Sequence, residues 1–321
     1  MCDKHQIVEE PDETKVSRPV LKTSGVGDSL AEFNKVEGYQ KANFQMILLQ
    51  KSAVPHWFSM LSTIYDLNPW LVAVSLNTVL LAIAWVIPKK LLTPAGLFHG
   101  WALGVLIWGT LGWQGYLVVM FYFLVGSAVT RIGMEQKEAE GIAEKRSGAR
   151  GPENVWGSAL TSAMCALGIL VVSSLQPGGG AQDLAPLLLL AYVASFATKL
   201  SDTCGSEVGK AYGKRTFLIT TLQPVARGTE GAISLEGTLA GIVGSAAIAF
   251  LGWSVGLINL TGIAFCVIAA FIATNIESVI GATLQSQFDW LTNEVVNFIN
   301  TLIGAIAAVL LVLAWRSLTL V

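Results

Sequence analysis

Charge is scarce in this chain. Of its 321 residues only 13% are Asp, Glu, Lys or Arg, while 53% are hydrophobic. A soluble domain carries about twice that share of charge, so the composition excludes a mainly soluble protein and indicates a polytopic membrane protein. The formal net charge is -2, which offers no broad basic surface and excludes nucleic acid as a partner. Cysteine is sparse too. Cys2, Cys165, Cys204 and Cys266 lie far apart and form no CxxC pair, so neither a disulfide framework nor a zinc knuckle is encoded. The three histidines, His5, His56 and His99, have no partner at ligand spacing, and any metal site must therefore be built from oxygen. Familiar nucleotide signatures are also missing. GSEVGKA at Gly205 to Ala211 has three residues between its glycines where a P-loop has four, Lys210 is not followed by Ser or Thr, and no GxGxxG occurs.

What the chain does have is apolar runs. A bilayer core takes about 20 apolar residues per helix, and on that measure the candidate spans are Pro69 to Ile87, Pro94 to Leu111, Gly115 to Thr130, Trp156 to Leu175, Leu184 to Thr198, Leu235 to Trp253, Gly256 to Thr274 and Phe298 to Trp315. The expected fold is all-α, a polytopic transmembrane helix bundle of about seven to eight spans. Residues 1–43 are polar, with an early acidic cluster and neither the apolar run of a secretory signal nor the acid-poor composition of a transit peptide, and read as a disordered tail. Residues 44–68 are too broken by Lys51, Pro55, His56 and Asp66 to span, and read as an interfacial segment. Residues 69–321 form the membrane-embedded domain.

Three polar segments fall on one face if these spans hold: Arg131 to Val155, the central stretch Lys199 to Gly241, and Asn275 to Asn297. Their lysines and arginines mark that face as cytoplasmic. In the first, Lys137, Glu138, Gly141, Glu144 and Lys145 recur along one helical face, and Gly148 to Pro152 breaks the helix and presents Arg150 on a turn.

The central stretch is where the scarce charge collects. It holds Asp202, Glu207, Glu230 and Glu236 together with Lys199, Lys210, Lys214, Arg215 and Arg227. As a helix, Lys199 to Gly213 aligns Asp202, Gly205, Ser206, Gly209 and Gly213, so a carboxylate stands over a face that a helix or a phosphate can approach closely. Arg227-Gly228-Thr229-Glu230-Gly231 forms a turn, Ser234 is a candidate N-cap, and Gly237 and Gly241 form a GxxxG pair that reads as tight helix packing. A helix N-terminus there also suits an anion. Carboxylates at span ends need a partner, and Mg2+ held by one or two of them with substrate phosphates is an economical solution. On the residues alone, the stretch binds a metal-bound phosphate at the membrane face.

Several ordered blocks carry a family likeness: KEAEGIAEKRSGARGPENVWGS at Lys137 to Ser158, TKLSDTCGSEVGKAYGK at Thr198 to Lys214, ARGTEGAISLEGTLAG at Ala226 to Gly241, NIESVIGA at Asn275 to Ala282 and NEVVNFINTLIGA at Asn293 to Ala305. In these the chain resembles the integral-membrane prenyl-phosphate kinases of the vitamin E pathway, the phytyl-phosphate kinase family, and more distantly phytol and dolichol kinases. The resemblance implies phosphoryl transfer from a nucleoside triphosphate, CTP by preference, to phytyl or a related prenyl phosphate, giving phytyl diphosphate for tocopherol or prenyl-quinone synthesis. It implies Mg2+ and catalysis at Asp202, Glu207, Glu230 and Glu236. It implies nucleotide and phosphate binding by Lys137, Lys145, Arg150, Lys210, Arg227, Gly228, Thr229, Asn275, Glu277, Asn293 and Asn297. It also implies a multi-pass protein with its active face cytoplasmic, in a thylakoid or plasma membrane if the source is a photosynthetic prokaryote. Two other readings stand beside it, a polytopic transporter and a cytidylyltransferase acting on a lipid phosphate. Transporters tend to place ionisable groups near the midplane of broken helices, whereas here they cluster at span ends.

Overall fold

The computed structural model describes residues 68–87, 91–175 and 181–319, without the side chains of residues 145, 175 and 181–183. The polar tail and the interfacial segment expected at 1–43 and 44–68 fall outside these residues, apart from Asn68. The described chain forms eight α-helices and one short hairpin: α1 Pro69–Val86, α2 Pro94–Thr130, α3 Met134–Ala139, α4 Pro152–Leu175, α5 Ala181–Tyr212, β1 Thr216–Leu218, β2 Ala232–Ser234, α6 Leu235–Ser254, α7 Leu260–Thr283 and α8 Asn293–Thr319. All but α3 are long and apolar enough to cross a membrane, so the chain is an all-α polytopic bundle.

Helix starts follow local chemistry. Asn68, Thr93, Ser234 and Asn259 cap α1, α2, α6 and α7, each side-chain oxygen accepting from a backbone N–H two or three residues on. Such caps satisfy donors that lipid cannot.

Helix α2 has 37 residues but is not straight. Gly112 has φ 64° and ψ -160°, a region essentially reserved for glycine, and there the chain folds back. Arg150 demonstrates the fold: a Cβ on Gly96 would lie 2.5 Å from its carbonyl oxygen, and one on Gly126 would lie 2.9 Å from its guanidinium. In a straight helix those glycines would stand about 45 Å apart. The turn at Gly112-Trp113-Gln114 thus joins two antiparallel arms, as the two runs Pro94 to Leu111 and Gly115 to Thr130 anticipate, so the seven apolar helices of the described residues supply eight apolar segments.

Helix α5 is the centre of the bundle and packs against α2, α4, α6 and α7. Tyr192, Val193, Ala194, Phe196, Ala197 and Leu200 are fully buried along it. It runs unbroken to Tyr212, longer than the run Leu184 to Thr198 alone suggests. Its contact with α6 is made through glycine. A Cβ on Gly237 would lie 2.5 Å from the Gly205 carbonyl oxygen, one on Gly241 3.0 Å from that of Ser201, and one on Gly244 2.9 Å from Cys204 Sγ. Gly209 and Gly213 face Ser234 from the other side. The glycines of the stripe read from the sequence thus serve helix packing, while its Asp202 and Ser206 side chains line open space.

The polar segments meet at one end of the bundle. The hairpin, paired antiparallel with Phe217 opposite Ile233, was not foreseen. It holds up the loop that carries Arg227 to Gly231. The segment after α2 differs from the expected long helix: α3 ends at Ala139 because Gly141 takes φ 71°, so Lys137 and Lys145 do not share a face. Arg150 is not on a free turn either. Its backbone bridges to the start of α2, with Arg150 N–H donating to Leu91 O and Thr93 N–H donating to Arg150 O, both at 3.0 Å.

The turn at Gly112 and the hairpin place Gln114 and Gln223 at opposite ends of the bundle. In a chain with Cys2 replaced by Ser, an impermeant thiol reagent is expected to label Gln114→Cys and Gln223→Cys from opposite sides of sealed vesicles, the buried native cysteines staying silent. Gly112→Val is expected to cost about 1–3 kcal/mol, read as a lower unfolding midpoint in detergent.

Candidate active site

A cleft of about 780 Å³ opens at this end of the bundle, lined by α4, α5, α6, α7, α8, the loop before α4 and the hairpin loop. Helical rise explains its level. Counting about 20 residues from Leu184 to cross the hydrocarbon, α5 leaves the membrane near Asp202, and Glu207 and Lys210 stand above it.

At the floor, Lys199 is nearly fully buried. Its ammonium donates to Asp202 Oδ2 at 2.5 Å and to Asn297 Oδ1 at 2.6 Å, with Tyr122 and Glu277 nearby. Glu277 lies beside Asp202 and Lys199 and close to Glu230. The floor thus gathers carboxyl groups around the Lys199 ammonium, which attracts them. Helix α5 supplies one, α7 the other, and α8 fixes the lysine through Asn297.

Arg150 forms one flank. Its guanidinium donates to Tyr122 Oη at 2.7 Å and lies over the rings of Tyr122 and Phe123 at 5.1 and 5.9 Å. Ring faces orient this cation without neutralising it, which leaves its charge available to an anion. On the other flank Lys210 is held by Glu207 at 3.4 Å and Glu144 at 3.8 Å.

The structure gathers most of the residues picked from the sequence. Asp202, Glu207, Glu230, Arg150, Lys210, Gly228, Thr229, Asn275, Glu277, Asn293 and Asn297 all line the cleft. Three others are used elsewhere. Lys137 is buried against Glu207, their side chains only 1% and 2% exposed, and also donates to Thr130 O at 2.8 Å, so it fastens α3 to α5. Arg227 donates to Glu140 Oε1 at 2.7 Å and straps the hairpin loop to the end of α3. Glu236 sits half-buried in the first turn of α6, where a carboxylate complements the helix dipole. The side chain of Lys145 lies outside the described residues. Among the described residues, no three of His, Cys, Asp and Glu are grouped closely enough to hold a metal by themselves. The carboxyl pair that does form, Asp202 with Glu277, is not the expected quartet.

Lys199, Glu294 and the pair Glu153-Asn154 also line the cleft and were not singled out. Asn154 accepts from Gly151 N–H at 3.0 Å and donates to Glu294 at 3.4 Å, joining the starts of α4 and α8. Lys199 could have been found: a lysine three residues before Asp202 at the end of an apolar run has a carboxylate within reach on its own helix.

Fold and cleft together define a multi-pass membrane protein with a cleft lined by basic and carboxyl side chains at one end of its bundle. The chain belongs to the family described as integral membrane protein DUF92, whose model matches residues 77–305. It is 66% identical over 241 residues to uncharacterized membrane protein sll0875 of Synechocystis sp., a match covering 75% of this chain and 90% of that one. It is 45% identical over 244 residues to protein VTE6, chloroplastic, of Arabidopsis thaliana, covering 75% and 72%. Uncharacterized membrane protein MJ0933 of Methanocaldococcus jannaschii is 33% identical over 201 residues, covering 62% and 77%. No solved structure matches the chain.

Removing one partner of a buried ion pair strands the other charge. Lys137→Met is expected to destabilise the protein by about 3–5 kcal/mol, and the double variant Lys137→Met/Glu207→Leu to recover most of that loss. Thermal unfolding in detergent checks both.

Proposed function

We propose that this protein is a membrane kinase that transfers a phosphoryl group from a nucleoside triphosphate, CTP by preference, to phytyl phosphate, giving phytyl diphosphate and the nucleoside diphosphate. The observation that carries the reading is a cleft at one end of the bundle that combines buried and half-buried cationic groups, neighbouring carboxyl groups and an apolar lower wall. The sequence blocks shared with prenyl-phosphate kinases support it, and these blocks contribute most of the cleft lining.

In this reaction an oxygen of the lipid phosphate forms a bond to the terminal phosphorus of the nucleotide, and the bond from that phosphorus to the bridging oxygen breaks. The acceptor is already an anion, so the protein needs no strong general base. Its work is to hold two anions in line and to neutralise the charge between them. Arg150, oriented by Tyr122, and Lys210, tethered by Glu144 and Glu207, grip phosphate oxygens from opposite flanks. Lys199 is placed to trade its bonds with Asp202 and Asn297 for bonds to the transferring group. Gly228 and Thr229 bring backbone close to the nucleotide from the hairpin loop.

The floor suits Mg2+. Its donors are all oxygen, and the contact between Asp202 and Glu277 provides the one or two carboxylates that Mg2+ takes beside substrate phosphates. Bound there, the ion would supply charge neutralisation on the phosphates. Asp202 and Glu277 would hold it, with Glu230 close by. The cleft is placed on the cytoplasmic face in this reading, following the lysines and arginines of the loops around it.

Purified protein incubated with Mg2+, CTP and phytyl phosphate is expected to yield phytyl diphosphate and CDP by mass spectrometry. CDP-phytyl with pyrophosphate would instead assign a cytidylyltransferase, and no turnover with any nucleotide or prenyl phosphate would overturn the enzyme reading in favour of transport. Asp202→Asn and Lys199→Met are each expected to lower turnover at least about a hundredfold while the protein keeps its elution volume on gel filtration. A folded variant with near-normal turnover would remove that residue from the mechanism.

A further inference from the structure

The cleft reaches apolar side chains of two neighbouring apolar helices. Its lining includes Ile242 of α6 and Phe271 of α7, which keep 36% and 45% of their surface exposed. On α7 the lining residues Phe271, Asn275, Ser278 and Gly281 fall on successive turns of one face. At 1.5 Å per residue Phe271 lies about 15 Å below Gly281, about half the depth of a hydrocarbon layer about 30 Å thick. Above, the gap is closed by Gly231, whose backbone approaches α7 so nearly that a Cβ would meet Ser278 O and Ala282 Cβ at 2.5 Å. The polar groups of this opening are at its top and the apolar ones at its bottom.

We propose that the gap between α6 and α7 is a lateral window for the hydrocarbon tail of a phosphate-headed lipid, with Ile242 and Phe271 forming the sill that the tail crosses. This rests on the kinase reading and adds the route by which the acceptor reaches the site. The direction of the polarity gradient carries it. A head group drawn toward Arg150 and Lys199 leaves its tail at the level of Ile242 and Phe271, in contact with lipid, so no methylene has to pass through water. The window also decides tail length and shape. Short prenyl phosphates end above the sill and do not sense it.

The test compares phytyl phosphate with isopentenyl phosphate as acceptors for Ile242→Trp and Phe271→Trp. Each variant is expected to raise the KM for phytyl phosphate roughly tenfold and to leave that for isopentenyl phosphate and for the nucleotide unchanged. Leu310→Trp, on the exposed side of α8, serves as the control and is expected to change none of them. Equal effects on both acceptors, or the same effect from Leu310→Trp, would overturn the window. A second measurement needs no turnover: a phytyl phosphate analogue carrying a diazirine near the tail's first branch is expected to label α6 or α7 at the sill, and labelling confined to other helices would overturn the proposal. Absence of turnover by the unaltered protein with every prenyl phosphate would overturn the kinase reading, and the crosslinking pattern would then still report on the window.

Discussion

The close approach of α5 and α6 governs the rest of the structure. In a bilayer no hydrophobic force draws two apolar helices together, and association depends on how nearly their backbones can meet. Here glycines on both helices allow carbonyl groups of one to touch the backbone of the other. That contact sets the position of Ser234 at the head of α6 and hence of the hairpin above it. It also turns Asp202, one step around α5, out of the contact and into the cleft. A Cβ at Gly237 would displace the helix, the hairpin loop and the carboxylate together.

The second determinant is charge buried against charge. Lys137 and Glu207 hold a short helix against α5 with almost no exposure, which costs a large desolvation on both sides. The arrangement makes sense if α3 must stay in place: Glu207 also tethers Lys210, and Glu140 at the end of α3 holds Arg227. Residues that look like ligands in the sequence thus act one layer further out, fixing the loops that present those lining the cleft.

This division explains what could be read from the chain beforehand. The spans were legible because hydrocarbon imposes length and composition, and the turn at Gly112 because two apolar runs were separated by a glycine and two residues with polar or interfacial character. The glycine pair at Gly237 and Gly241 carried its packing role openly. Charge was harder. Glu207, Glu236, Lys137 and Arg227 differ from Asp202 and Arg150 only in where their helices and loops point, and that is decided by tertiary contacts such as the early stop of α3 at Gly141. Glu277 was recognised as a cleft residue, but its contact with Asp202 joins helices far apart in sequence and has no local signature. The same holds for Lys199 with Asn297.

The glycine turn at Gly112 has a further consequence for topology. An even number of apolar segments brings the start of α1 and the far end of α8 to the same end of the bundle, opposite the cleft. A tag placed directly after α8 would therefore lie at the end of the bundle away from the cleft. Handles for observing events in the cleft belong instead in the loop between β1 and β2, at the cleft's own end.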